Sequence, residues 1–561
     1  MLPITSSLKR RSYLQSHLRG YGPYCTIPEK LKLLSEQSPN KEAVIFVGES
    51  SRVGVTYSDI VSKAERIARK LVKIGIRKND VVAINDDKSP LWLYCTFGAQ
   101  MCGARPLHFF FSKKDGSDVM ALLRTAKCKV LITQPGDADI NVEILNNFVA
   151  FNKDEVRSET LPFLERIIFT ESPLTLKDCL TLDKILPTGS ETLPAIEPED
   201  IAAILCSSGS SGVPKLIPWT HASLVHSSKL YTEAFGFESD SFYSDRSFSW
   251  VAGYPRDIIN GIARVTNNAD FKEKSVEEIC DATLKIITTE NCQHANLFSS
   301  TIRQLLKSGK KIEPIKTIIT GGGPISSKDA DLLGDFCHSF INLYGSSEIF
   351  TITFNKVSKN QDMINYDSGI PFPGTEVKIV NNDGDLAEVG TSGEIYVRSL
   401  IGTSGFLDEE QEWHKTNRTS GYWYKTGDAG FVSDNGHLFV TGRLEEAIII
   451  EGAILYPSHF EDILMRNPKI EYVVAFAVPD EILHHIAGLA VKLKDGKDAT
   501  KEEVQEFFQK ERNLVYEDSF FASKFIPKKI LFFDAFPLTS SGKIARKNVK
   551  NMALQRLTSC E

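Results

Sequence analysis

Short apolar runs at residues 42–47 and 81–85 alternate with longer stretches at 57–74 and 91–102. In the first long stretch Ile60, Ala64, Ile67, Ala68, Leu71 and Ile74 recur at helical spacing. This alternation constrains the fold more than any other feature. Strands separated by helices of this length predict a parallel sheet with both faces covered. Further apolar runs at 201–205, 315–320 and 340–343 continue the pattern. The chain has 561 residues, too many for one ordinary core, so at least two domains are expected.

The texture changes at Gly374. Short β-rich runs at 377–380, 394–397, 431–432 and 438–440 are broken by turns such as Asn382-Asp383-Gly384-Asp385 and Asp434-Asn435-Gly436. They predict a small antiparallel unit closing on Gly442-Arg443. Beyond it the pattern reads strand (447–450), helix (457–465), two strands (472–478 and 486–494) and helix (501–509), a compact α+β domain of ordinary size. The expected organisation is an N-terminal tail at 1–26, a large N-terminal α/β domain at 27–443 carrying the β-rich unit, and a small mobile α+β domain at 444–561.

Composition excludes several classes. With 42% hydrophobic and 24% charged residues and a net charge of −7, the chain has the balance of a globular protein, with no basic block for nucleic acid. No apolar run approaches the ~20 residues of a membrane span. Ten cysteines without a CxxC pair predict reduced thiols and no zinc site or disulfide framework. The first 28 residues lack acidic side chains but carry Lys9, Arg10, Arg11 and Arg19. That composition suits a mitochondrial transit segment; an ordinary frayed terminus is the preferred expectation.

Three polar or glycine-rich segments fall at predicted strand ends, where ligands bind in open α/β sheets. The run 201–205 leads into Ser207, Ser208, Gly209, Ser210, Ser211 and Gly212, then Val213, Pro214 and Lys215. Its glycines let backbone N–H groups approach a ligand, and its hydroxyls and ammonium suit phosphate oxygens. Lys215 follows Pro214 and precedes Leu216, so this is not a Walker A loop; a flexible linker is the competing reading. The run 315–320 ends in Gly321, Gly322 and Gly323, a bare backbone against which a flat group could lie, or a plain tight turn. The run 340–343 ends in Tyr344-Gly345-Ser346-Ser347-Glu348. Lys543 lies in a Gly/Ser-flanked loop, and spacing alone does not raise it above a surface lysine.

Taken in order, SSGSSGVPK, GGGP, YGSSE, the run from PGTEVKIV to GEIYVR, YKTGD, GR and LTSSGKI resemble the adenylate-forming superfamily: acyl-CoA synthetases, luciferase-type ligases and peptide synthetase adenylation domains. The resemblance spans roughly residues 27–547 and is strongest for a stand-alone acyl-CoA ligase. It implies attack of a carboxylate on the α-phosphorus of ATP, then displacement of AMP by a thiol, usually coenzyme A. It implies that Ser207 to Ser211 and Lys215 hold the β- and γ-phosphates, and that Glu348 ligates Mg²⁺, which prefers carboxylate oxygen. Gly321, Gly322, Gly323 and Tyr344, with Gly345 beyond, would form the adenine slot. Ser347 would meet the α-phosphate, and Asp428 would accept from the ribose hydroxyls with Arg443 beside it. Lys543 would reach the oxygens where charge builds. The small domain would swing about a hinge between the two steps.

Some positions depart from the family. The hinge residue is Glu445 in place of the usual Lys or Asp, and Glu451 replaces one of two glycines, leaving Gly452 beside the thiol tunnel. Trp250, with Gly253, falls in the aromatic-gate region of the acyl pocket; a core tryptophan is the equal alternative. The 18 residues after Lys543 hold no carrier domain, which favours a free thiol. The expected function is an ATP- and Mg²⁺-dependent ligase joining an apolar acid, fatty or aryl, to coenzyme A. A luciferase-like oxygenase and a non-catalytic nucleotide- or acyl-binding relative are the alternatives. Thr558-Ser559-Cys560-Glu561 is not a peroxisomal address, so cytoplasm or mitochondrial matrix is expected. No nucleic-acid partner is expected.

Overall fold

The computed structural model describes residues 11–16 and 25–559, apart from residues 87, 110–115, 137–139, 153–154, 177, 187–190, 207–214, 238–240, 269–273, 311, 323–329, 331, 359–360, 362, 365, 404–405, 408–412, 415–422, 451–452, 481–483, 516–525 and 539–543. Two nine-stranded sheets dominate it. One is built around Val81–Asn85, flanked by Val130–Thr133 and Arg105–Phe109, with Ile201–Cys206 next. The other runs from Glu42–Val47 through Arg264–Asn267, Phe242–Ser244, His294–Asn296 and Ile315–Gly321 to Cys337–Tyr344. These inner strands pair in parallel, as the alternation predicts.

Both faces of the sheets are covered. Every residue of Val81–Asn85 is buried, which is why that run has no polar alternation. The helices Ile27–Gln37, Tyr57–Lys73, Pro90–Met101 and His221–Phe235 share one core with strand residues of both sheets, including Val44 and Phe46 on one side and Val82 and Ala203 on the other. They therefore form a layer between the sheets, with further cores on the outer faces. Helix Tyr57–Lys73 shows why the sequence folds this way locally. Thr56 caps its N-terminus in a capping box with Asp59, and Ile60, Ala64, Ile67, Ala68 and Leu71 form its buried stripe.

Two expectations are corrected. The sheets are not wholly parallel: Leu216–Thr220 runs antiparallel to Ile201–Cys206, and Thr353–Ser358 antiparallel to Cys337–Tyr344. The two strands flanking the Ser/Gly loop thus form a hairpin, whereas apolar runs carry no sign of direction. The segment expected as a frayed tail is also folded in part. Tyr13–Gln15 joins Thr375–Val380 as an antiparallel edge strand, with Ser12 fully buried. Backbone pairing supplied by a distant strand leaves no local hydrophobic pattern, so the segment read as tail.

The β-rich unit is an antiparallel five-stranded sheet, ordered Tyr13–Gln15, Thr375–Val380, Gly393–Ser399, Tyr424–Val432 and Leu438–Arg443. A short 3₁₀ turn, Leu444–Glu446, leads from it to a second five-stranded sheet centred on the hairpin of Ile470–Asp480 and His484–Leu493, with its own core. Glu445 is exposed. Arg546 pins the turn to this small unit, meeting Glu446 at 3.1 Å and Glu461 at 2.6 Å. None of the nine cysteines among the described residues is in a disulfide, and no described helix is long and apolar enough to cross a membrane.

Candidate active site

The site is built where Cys337–Tyr344 ends and the β-rich sheet approaches it. Tyr344 is the last residue of its strand, and its hydroxyl donates to Asp428 Oδ2 at 2.6 Å. Asp428 lies within Tyr424–Val432, and its other oxygen sits 3.0 Å from Arg443 Nε. Arg443 ends the adjacent strand, directly opposite Asp428 in the ladder, and donates from Nη1 to the carbonyl of Thr426 at 3.1 Å. The Thr426 hydroxyl in turn accepts from the Asp428 N–H at 3.0 Å. YKTGD and GR are thus one constellation, made by pairing two strands.

Burial pushes the Asp428 carboxyl above the usual carboxylate range, opposed by the Arg443 guanidinium and the Tyr344 hydroxyl. Burial and the neighbouring Asp428 likewise hold the Tyr344 phenol protonated, well above its ordinary value. Glu348 belongs to the same cluster: it is half-buried, and after burial its negative charge is what raises the Tyr424 phenol above its ordinary value. Tyr424 was missed in the sequence, although it opens the YKTGD run that carries Asp428. Among the described residues no group of three or more His, Cys, Asp or Glu side chains forms a ready-made metal cage.

The turn after Tyr344 is held from within. Phe350 N–H bonds to the Ser346 carbonyl at 2.7 Å, and Ile349 N–H to the Ser346 hydroxyl at 3.3 Å. Gly345 is forced, because a Cβ there would stand 1.7 Å from the Phe350 carbonyl oxygen. Ser347 is half-buried in this turn. Gly321 pairs with Leu343 at the end of the neighbouring strand, and Gly322 follows it, exposed. Arg246 lies behind that strand end, donating to the carbonyls of Leu297 at 2.7 Å and Gly321 at 3.4 Å.

Trp250 stands on the same side. It packs edge-on to Phe298, 6.1 Å between ring centres, and the Arg246 guanidinium covers that Phe298 ring at 4.0 Å. Trp250 is only half-buried, so it is not a fully enclosed core residue. Gly253, expected as pocket lining, is explained by packing: a Cβ there would lie 1.9 Å from the Ser247 carbonyl oxygen. Lys215 is exposed. Ser207, Ser208, Gly209, Ser210, Ser211, Gly212, Gly323, Gly452 and Lys543 lie outside the described residues.

One carboxylate, one guanidinium and a phenol thus meet at the C-terminal edge of a parallel sheet, with a second carboxylate close by, where ligands bind in α/β proteins of this class. The family is settled by comparison. The AMP-binding enzyme profile matches residues 33–407, and that of the AMP-binding enzyme C-terminal domain matches residues 459–543. The chain belongs to the AMP-binding enzymes. Similar proteins include the mitochondrial medium-chain acyl-CoA ligase ACSF2 of Mus musculus, 24% identical over 97% of this chain and 90% of that one. The 4-coumarate–CoA ligase-like 1 of Arabidopsis thaliana is 26% identical over 96% of this chain and 97% of its own. Among solved structures, the anthranilate CoA ligase AuaEII in complex with anthranoyl-AMP shares the fold with a TM-score of 0.79 at 19% identity, covering 96% of this chain and 99% of that one. The amide bond synthetase McbA of Marinactinospora thermotolerans does so with a TM-score of 0.76 at 19% identity, covering 94% and 99%.

Proposed function

We propose that the chain is an AMP-forming acid–thiol ligase, which activates a carboxylic acid with ATP as the acyl-adenylate and passes the acyl group to coenzyme A. The observation that carries this reading is the Tyr344–Asp428–Arg443 constellation with Glu348 and Tyr424 beside it. Asp428 accepts from the ribose hydroxyls, with its oxygens aimed by Arg443 and Tyr344. The Gly321–Gly322 backbone and the Tyr344 ring receive adenine. Glu348 would hold Mg²⁺, which supplies neutralisation of phosphate charge. Phosphoryl-type transfer asks for such positioning and charge balance.

Lys543 brings its ammonium to the α-phosphate and carboxylate oxygens, stabilising the charge that builds in the first step. The 3₁₀ turn Leu444–Glu446 serves as the hinge on which the domain at 444–561 swings, with the large domain at 27–443. Exposed Glu445 stays solvated in either pose. Coenzyme A then enters past Gly452. The half-buried Trp250 and the Phe298 ring wall the acyl site, which fits an acid with an apolar body. The mitochondrial name of the ACSF2 relatives supports the mitochondrial matrix of the two expected settings.

The test is AMP release from ATP and Mg²⁺ over a panel of acids, with and without coenzyme A, beside Lys543→Ala. The reading expects release that depends on both acid and coenzyme A and is lost in the variant. Absence of both AMP and pyrophosphate–ATP exchange with every acid would end it.

A further inference from the structure

Three guanidiniums are buried together behind Trp250 and Gly253: Arg246, Arg256 and Arg264, exposed by 4%, 6% and 3%. Two of them are matched. Arg264 grips Asp257 with two nitrogens, its Nε 2.8 Å from Oδ2, and donates to the Gly253 carbonyl at 3.1 Å. Arg246 has Asp245 at 3.6 Å and the two carbonyls described above. Arg256 has no such close partner: only the charge of Asp257, already gripped by Arg264, reaches it. Its guanidinium makes one long hydrogen bond, Nη1 to the Ser227 hydroxyl at 3.5 Å. It otherwise lies over aromatic faces, 3.1 Å from the Phe350 ring centre and 5.6 Å from that of Tyr231. Burial drives its pKa down to about 9, a sign of how poorly the charge is compensated by the chain.

The unmatched group has somewhere to point. A cavity of about 20 Å³ is lined by Arg256 together with Ser228, Tyr231, Ala252, Asn296 and the Asp257–Arg264 pair, whose charges balance each other. One water needs roughly 10–15 Å³ by this measure, so the space takes one or two oxygen-sized atoms and no long chain. Ser228 is engaged, donating to the Arg256 carbonyl and accepting from Asn260 at 2.8 Å. The Tyr231 hydroxyl enters no hydrogen bond among those of the described residues, and burial keeps it protonated, above its ordinary value. A guanidinium and a phenol with spare donors converge on one small space.

Its position ties the space to the acyl side of the site. Ala252 belongs to the turn that carries Trp250, and Asn296 ends the strand beside the one that ends at Gly321. The Phe350 ring beneath Arg256 follows Glu348 by two residues in the same turn. A buried charge is costly unless it is paired. Here the missing partner can arrive with the substrate.

We infer that Arg256 and the Tyr231 hydroxyl form a subsite for a second carboxylate at the far end of the substrate acid. The inference rests on the acid–thiol ligase reading for what the first carboxylate does. It narrows the substrate to an acid with an apolar body and an anionic terminus. The guanidinium meets that terminus in a fork, and a methyl ester in its place leaves Arg256 as unpaired as before.

The experiment takes succinate, glutarate, adipate and terephthalate, each beside its monomethyl ester, with the full-length chain. AMP release is followed in the presence of ATP, Mg²⁺ and coenzyme A. Binding of the same acids in the presence of AMP is followed separately by thermal shift. At least one diacid is expected to exceed its monoester in both readouts. In Arg256→Gln that preference should fall by roughly 30-fold or more, the low end for removing one partner of a buried charge pair. Tyr231→Phe, which removes only the hydroxyl, should reduce it less and controls for a fold disturbed by the arginine change. A monoester equal to or better than every diacid, or a preference unmoved in both variants, would overturn the subsite. Diacid-selective thermal shifts without AMP release would keep the subsite and sink the ligase reading. Turnover of monoacids alone would do the reverse.

Discussion

The Tyr344–Asp428–Arg443 cluster, proposed as the nucleotide end of the site, and the arginines behind Trp250, proposed as its acyl end, treat buried charge in opposite ways. At the nucleotide end Asp428 is desolvated yet balanced within the chain, by Arg443 at 3.0 Å and the Tyr344 hydroxyl at 2.6 Å. At the acyl end three guanidiniums face two carboxylates, and the odd one, Arg256, has an aromatic ring and a distant hydroxyl. A pair closed within the chain orients a group for use; a charge left open is a demand on the ligand. The contrast recurs inside the acyl end, where Arg264 and Arg256 lie eight residues apart with similar burial and different company.

The sharpest way to break this comparison is to remove each arginine and measure stability by chemical denaturation. Arg264→Leu should cost about 3–5 kcal/mol, because Asp257 is left buried without its hydrogen-bonded partner. Arg256→Leu should do far less. It deletes an uncompensated charge and forfeits a cation–π contact worth roughly 0.5–2 kcal/mol, so stability should stay within about 1 kcal/mol of wild type or rise. Equal losses at both sites would mean that Arg256 is paired after all.

The nucleotide end offers the next largest effect. Asp428→Asn keeps the shape but removes the charged acceptor. A charge-assisted hydrogen bond is worth about 1.5–3 kcal/mol, so kcat/KM for ATP should fall on the order of 10- to 100-fold. Wild type should also show a pH signature. Burial raises the Asp428 pKa, so as pH falls this carboxylate takes up its proton before an ordinary one would. KM for ATP should therefore rise in mildly acid solution, and Asp428→Asn should flatten that limb. The sign for stability is opposite, since a raised carboxyl pKa favours the fold as pH falls. The smallest effect belongs to Tyr344→Phe. It removes one hydrogen bond to Asp428 and should cost about 1 kcal/mol in the binding of AMP, followed by calorimetry. A loss as large as that of Asp428→Asn would make the phenol an equal partner.

Much of this was written in local pattern. The stripe from Ile60 to Leu71, the all-buried run Val81–Asn85 and the turn-rich stretch after Gly374 each state their own element, because the periods of helix and strand are local properties. The motif order likewise names the family from the chain alone, and Tyr344, Glu348, Asp428 and Arg443 could be chosen before any coordinates. Their meeting could not. Asp428 reaches Arg443 through one strand pairing, and Tyr344 across 84 residues of sequence. The edge strand Tyr13–Gln15 owes its order to a partner more than 360 residues away.

Sequence by itself determined the fold class and the family, since each rests on spacing and residue type. Tertiary structure alone decided which strands run antiparallel, that Tyr424 feels the charge of Glu348, and that a Cβ at Gly253 would meet the Ser247 carbonyl. It alone decided that, of the three buried arginines among the described residues, Arg256 is the one without a carboxylate of its own. Arg256 and Arg264 read identically as residues in a row. What separates them is the arrival of Asp257 at one and of a ring and a small cavity at the other, and charge balance is a property of neighbours in space.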